Sequence, residues 1–140
     1  MIYNVNYHLG GGSKNNNEVK ESIKETYTKH LSEPWFSLIY LGIKSVEGRL
    51  NKGQFKGMKV NDEIKWINED FNNREVITRI VSKQKYPTFK DYLKGEGLEK
   101  CLPTISSIEN GLSVYYKYYS KEDESTHGII AIRLDVINEN

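Results

Sequence analysis

At 140 residues the chain is long enough to bury one modest core but not two, so a single domain with a decorated start is expected. Hydrophobic residues at 37% beside charged residues at 28% exclude a disordered chain, and a net charge of +1 excludes a protein that coats nucleic acid by bulk electrostatics. One cysteine, Cys101, excludes an intrachain disulfide, and no apolar run approaches the ~20 residues of a membrane span.

The start carries no basic-then-apolar leader, so an intracellular location, in cytoplasm or nucleus, is expected. His8, His30, His127 and Cys101 show no metal-ligand spacing, so neither a metal nor another cofactor is expected. Charge is uneven along the chain: residues 44–59 sum to +4 and residues 121–140 to −3, a polarity that can furnish a basic cleft at near-zero total charge.

Residues 1–17 alternate weakly and then run into Gly10–Gly12 and Asn15–Asn17, which reads as a flexible N-terminal segment. Residues 18–31 offer helix formers with Val19, Ile23 and Tyr27 on one stripe, an accessory helix that would suit a protein partner. Residues 32–137 form the domain proper. Its first helix is punctuated by Ser32 as cap, Pro34 in the first turn and Gly42 as left-handed stop, with Trp35, Leu38, Ile39 and Leu41 facing the core.

Val46–Leu50 reads as a strand with Glu47 and Arg49 on one face and Lys44 at its mouth. Beyond a turn-rich stretch at Gly53 and Gly57, residues 60–67 alternate Ile64 and Trp66 with charged neighbours as a half-buried strand does. Another strand spans residues 75–83; Pro87 ends it, and Thr88 caps a helix over 89–94. Ser107 starts a helix that runs through Leu112, Tyr115, Tyr116 and Tyr119, the acidic run 122–124 reads as a solvated loop, and the β-branched run 128–137 is the last strand. Strands that carry the order and helices that plug the ends predict an α+β barrel in place of alternating βαβ units.

Lys44 brings a compact charge, Arg49 a planar fork suited to phosphate or carboxylate, and Glu47 an acceptor for the amino groups of a base. Gly48 between them removes a side chain, which would let a ligand reach the backbone. The same residues also fit a surface ion-pair cluster that only pins the strand. Tyr115, Tyr116, Tyr118 and Tyr119 fit base stacking or one buried helical face; Trp35 and Trp66 read as core.

Gly42-Ile43-Lys44-Ser45-Val46-Glu47-Gly48-Arg49 resembles the Gly-x-Lys-x-x-Glu-x-Arg signature of the ASCH family, and Glu33-Pro34-Trp35-Phe36 is similar to that family's lead-in helix. Lys59-Val60-Asn61-Asp62 resembles its Lys-Val-Gly-Asp turn, with Asn61 for the commoner glycine, and residues 119–132 are similar to the end of one subgroup. The resemblance implies a PUA-like small β-barrel with helices packed at its ends. It also implies an RNA- or modified-nucleoside-binding cleft built from Lys44, Glu47, Arg49, Tyr119 and Ser120, the last two because they precede the terminal motif. On that reading binding weakens with salt, and Lys44→Ala or Arg49→Ala lowers it without unfolding.

Two other readings follow from the same family. One is a hydrolase acting on acylated cytidine or single-stranded RNA, with Lys44 activating, Glu47 as general base or acid and Ser120 as hydroxyl. In the amidohydrolase branch a threonine nucleophile stands three residues after the lysine, and here that position is Glu47. The other is a protein-interaction module of a transcription or translation coactivator. Oligomeric state is not encoded in any of these patterns.

Overall fold

The last strand organises the molecule. In the computed structural model, which describes residues 23–70 and 73–137, β5 (Ile129–Val136) is buried along most of its length on both faces. Side chains on a strand alternate sides, so Ile130, Ile132 and Leu134 enter one apolar cluster while Ile129 and Ala131 enter another. That double burial explains the nearly unbroken β-branched run, where a strand with one wet face would alternate.

The other strands are β1 (Thr26–His30), β2 (Val46–Leu50), β3 (Glu63–Asn68) and β4 (Arg74–Tyr86), and the sheet order is β1-β3-β4-β5-β2. The β1–β3 pair is parallel, and the remaining pairs are antiparallel. This is a mixed sheet forming a half-barrel, with helices against it, in the α+β class. Strand β4 is long enough to serve both clusters because its register with β5 slips between Ile80 and Ser82; such a bulge bends the strand and raises its twist.

The helices are α1 (Trp35–Tyr40), α2 (Gly53–Gly57), α3 (Phe89–Glu96), α4 (Leu98–Cys101), α5 (Ile108–Tyr116) and α6 (Lys121–His127). The first cluster joins Phe36 and Ile39 of α1 to Ile64, Trp66 and Ile80 of the sheet. The second joins Phe89, Tyr92 and Leu93 of α3 and Tyr115 of α5 to Val46 and Leu50 of β2. Thr88 and Ser107 cap α3 and α5 as expected, each accepting from the backbone N–H three residues on. Gly42 takes the left-handed conformation at φ +77°, and Asn61, standing where a glycine was the commoner choice, takes it at φ +81°.

Several expectations are corrected. Residues 1–22 lie outside the described part, and with them the flexible segment and the first five residues of the accessory helix. Its end is a strand: Thr26–His30 alternates exposed and half-buried residues and pairs with β3 from Thr26↔Glu63 to His30↔Ile67. A free edge on β3, together with β-branched Thr26 and Thr28, outweighs a weak helical stripe. Ser32 does not cap α1 with its hydroxyl. Glu33 takes that role, accepting from the Ser37 N–H at 3.0 Å and from its hydroxyl at 2.7 Å.

Leu41 is 65% exposed, past the buried face of α1. The helix α5 stops at Tyr116, so Tyr119 lies beyond it. Residues 122–124 are helical, not a loop, because Ser120 caps α6 and Glu124 turns inward, accepting from the Phe89 N–H at 2.6 Å and the Tyr116 hydroxyl at 2.8 Å.

Candidate functional site

Between the two edge strands of the half-barrel lies a cleft of about 410 Å³. One wall is Lys44 and β2 residues Glu47 to Arg49; the other is the exit of β1 and β3, His30 to Ser32 and Ile67 to Asp70; Tyr115, Tyr118 and Tyr119 close one side. The volume lies at the lower end of small-molecule sites.

Strand alternation puts Glu47 and Arg49 side by side, and the turn at Gly42–Lys44 brings Lys44 beneath them. Glu47 bridges the two cations: its Oε1 lies 3.2 Å from Lys44 Nζ, and its Oε2 accepts from Arg49 Nε at 2.7 Å. Burial alone would push the Glu47 carboxyl up, but Lys44 and Arg49 together outweigh it and hold the group below the usual carboxylate range. It is ionised at neutral pH.

Lys44 is 2% exposed, and its ammonium also donates to the carbonyls of Val46, at 2.6 Å, and Cys101. An ammonium has three N–H groups, and all three are engaged. Lys44 lines the cleft and is at the same time a buried tie between β2, α4 and Glu47. Its side chain also lies 5.8 Å from the centroid of the Trp35 ring.

Arg49 differs. Its Nε is committed to Glu47, and its guanidinium lies over the rings of Phe55 at 4.9 Å and Trp66 at 5.6 Å. Among the described residues nothing accepts from its two terminal nitrogens, and the side chain is 21% exposed in the cleft.

Gly48 lines the cleft, and its lack of a side chain also serves packing. A Cβ there would come within 2.4–2.7 Å of the Tyr92 ring, so the missing side chain makes room for a core tyrosine. Tyr92 accepts this position with its hydroxyl 3.3 Å from that of Tyr115.

Of the other expected residues, Tyr119 lines the cleft while its ring stacks on Phe89 at 5.4 Å. Burial raises its pKa, so the hydroxyl remains a donor at neutral pH. Ser120 is not brought to the cleft: it is exposed, and its hydroxyl accepts from the Asp123 N–H at 3.0 Å as the cap of α6. Ser45 anchors the backbone, its N–H donating to Lys100 and its carbonyl accepting from Leu134. Cys101 is buried, with its thiol pushed up to about 11 by burial.

Sequence reasoning missed Trp35 as a cleft residue and the far wall. His30 Nδ1 sits 3.8 Å from Glu69, and Asn68 donates to the Leu31 carbonyl and to Asp70. No local pattern announces this wall, because it arises from parallel pairing of strands 37 residues apart, as in Thr26 with Glu63. With Glu69 and Asp70 counted, the charged lining is two cations and three carboxylates, a net −1 leaving His30 aside. Among the described residues no group of three or more His, Cys, Asp or Glu is placed to hold a metal, and no helix is long and apolar enough to cross a membrane.

The cation–carboxylate–cation ladder on β2 lies inside a region, residues 30–138, that matches the model of the ASCH domain. The chain belongs to the ASCH domain family. It is similar to the hypothetical protein PH0355, known from a crystal structure, at 33% identity and TM-score 0.72 over 80% of this chain and 99% of that one. It is similar also to protein PF0455 from Pyrococcus furiosus, solved by NMR, at 32% identity and TM-score 0.67 over 81% and 99%. Among curated proteins none matches. The ASCH assignment and the α+β, PUA-like architecture thus agree with the expectation from the signature at Gly42–Arg49.

Proposed function

We propose that this ASCH domain binds RNA by holding one unstacked nucleoside in the cleft between β1 and β2. The observation that carries the reading is the division of labour on Arg49: Nε is fixed by an ionised Glu47, and two terminal nitrogens have no acceptor among the described residues. A guanidinium locked in this way offers a preset fork to the oxygen and ring-nitrogen acceptors of a base. The carboxylate beside it keeps lone pairs for an amino or imino donor, since two oxygens carry about four acceptor sites and two are used. Trp35 and Tyr119 supply ring surface on the adjoining walls.

The lining charge refines this. A net −1 cavity favours a neutral base and sugar and leaves phosphates to the mouth. Binding of a nucleoside is therefore weakly salt-dependent, in contrast with the salt dependence expected from the basic stretch 44–59 alone.

The hydrolase reading draws less support. A general acid or base working near neutral pH needs a carboxyl pKa raised toward 7, and Glu47 moves the other way. Lys44 has its three donors engaged and Ser120 is spent as a cap. The protein-docking reading loses the helical surface over Thr26–His30, which is a strand of the sheet.

Calorimetric titration with each of the four ribonucleosides tests the proposal. One of them is expected to bind the wild type, and Arg49→Ala to weaken it by about tenfold or more, since a good guanidinium–base pair contributes ~1–3 kcal/mol. Equal affinity in the variant, with the fold intact, would remove the assignment.

A further inference from the structure

The aromatic side chains around the cleft fall into two kinds. Tyr115 is buried, its ring stacked on Phe89 at 4.4 Å, and Tyr119 stacks on Phe89 at 5.4 Å; both are fixed members of the second apolar cluster. Tyr118 lines the same cleft and is 68% exposed. It makes no ring–ring contact among the described residues, and its position is set by the backbone alone, through its N–H donating to the Tyr115 carbonyl at 3.0 Å in the turn that ends α5. A large ring held out at the mouth of a charged cleft, on the turn that ends α5, belongs to neither apolar cluster.

We infer that Tyr118 is a stacking platform for the nucleotide adjacent to the one in the cleft, so that the ligand is a single-stranded segment of RNA and not an isolated nucleoside. This inference rests on the nucleoside-cleft reading above and deepens it. Stacking suits the place because every base has a π-face, which gives affinity without sequence demand, while Arg49 and Glu47 read one base by hydrogen bonds.

Charge gives the strand a direction across the mouth. The far rim carries Glu69 and Asp70, which repel phosphate. The Tyr118 rim, with Tyr115 and Tyr119, contributes no carboxylate to the lining. A strand leaving the cleft over Tyr118 therefore avoids the two carboxylates that a strand leaving past Asp70 would meet. A duplex would keep its bases stacked on one another and could offer neither a base to the cleft nor a face to Tyr118.

The test compares the four ribonucleosides with the four RNA homotrinucleotides by titration, on the wild type and on Tyr118→Ala, Tyr118→Phe and Arg49→Ala. Tyr118→Ala is expected to weaken the bound trinucleotide at least fivefold more than it weakens the nucleoside, fivefold being the low end of one base–aromatic stack; Tyr118→Phe is expected to keep both. The trinucleotide is expected to show a salt slope of about −0.7 per phosphate contacted, absent for the nucleoside. Equal trinucleotide affinity in Tyr118→Ala, or equal loss for nucleoside and trinucleotide, would overturn the platform. Loss of nucleoside binding in Arg49→Ala with no effect of Tyr118→Ala would sink this inference alone, whereas nucleoside binding indifferent to Arg49→Ala would sink the cleft reading beneath it.

Discussion

Lys44→Met is the perturbation that separates a ligand-contacting lysine from a structural one. The side chain is 1% exposed and its partner Glu47 is 9% exposed, so removing the ammonium leaves a buried carboxylate held by Arg49 only, and two backbone carbonyls, of Val46 and Cys101, without their donor. Breaking a buried pair by deleting one partner costs about 3–5 kcal/mol, against a total of roughly 5–15 kcal/mol for a domain. At this chain length 1 kcal/mol corresponds to roughly 3–4 °C, so a fall in Tm of roughly 10–20 °C is expected.

Urea denaturation followed by circular dichroism gives the number, with Arg49→Met as the comparison. Arg49 is 21% exposed and its loss leaves Glu47 paired with Lys44, so the expected cost is smaller, about 1–2 kcal/mol. Adding Glu47→Gln to Lys44→Met should recover part of the loss, because the orphaned charge disappears. A Lys44→Met cost of ~1 kcal/mol or less, the value of an exposed pair, would refute the tie and return Lys44 to the list of ligand contacts.

Other outcomes follow from the same geometry. Gly48→Ala forces a Cβ to within 2.4 Å of the Tyr92 ring, where the neighbour is a packed core side chain, so a loss of about 1–3 kcal/mol is expected in thermal unfolding; unchanged stability would mean that Tyr92 can move aside. Glu96 has its carboxyl pKa lowered by hydrogen bonds from Arg133, against burial, with the Tyr86 hydroxyl assisting. Its folded pKa lies below the unfolded value near 4.5, so its contribution is present above that pH and is lost as pH falls through the folded value. Glu96→Gln should therefore be less stable than wild type at pH 7 and converge with it in acid, read from urea midpoints at both pH values; a gap that persists in acid would contradict the linkage.

How far the fold could be read in advance depended on whether a residue's partner was close in sequence. Thr88, Ser107 and Gly42 act on backbone within a turn, and each behaves as its type requires. The face shared by Glu47 and Arg49 also follows from strand alternation alone. Tyr27 misled because a stripe spaced by four and a strand alternating by two are hard to tell apart over a few residues, and what decided between them was the edge of β3. Glu124 looked solvated because its neighbours Glu122 and Asp123 are exposed, yet it reaches the start of α3, 35 residues away, to satisfy Phe89.

The site was half legible for the same reason. The ladder of Lys44, Glu47 and Arg49 is local and was visible, including the alternative that these charges pin the strand. The Lys44 ammonium is engaged on the strand itself, and the terminal nitrogens of Arg49 have no acceptor among the described residues. Glu69 and Asp70, which reverse the sign of the cleft's charge, reach it only through the parallel pairing of β1 with β3, and no spacing in the chain forecasts them.

The most direct test is a nitrogen-15 NMR titration of the full chain with the ribonucleoside it binds best, observing the Arg49 Nε–H, the Trp35 indole N–H and the backbone amides. The account predicts that the first two resonances, with the amides of Gly48, Asn68 and Tyr119, shift together with one dissociation constant while the face around Tyr40 and Leu41 stays still. Shifts gathered on that opposite face, or none at Arg49, would contradict it.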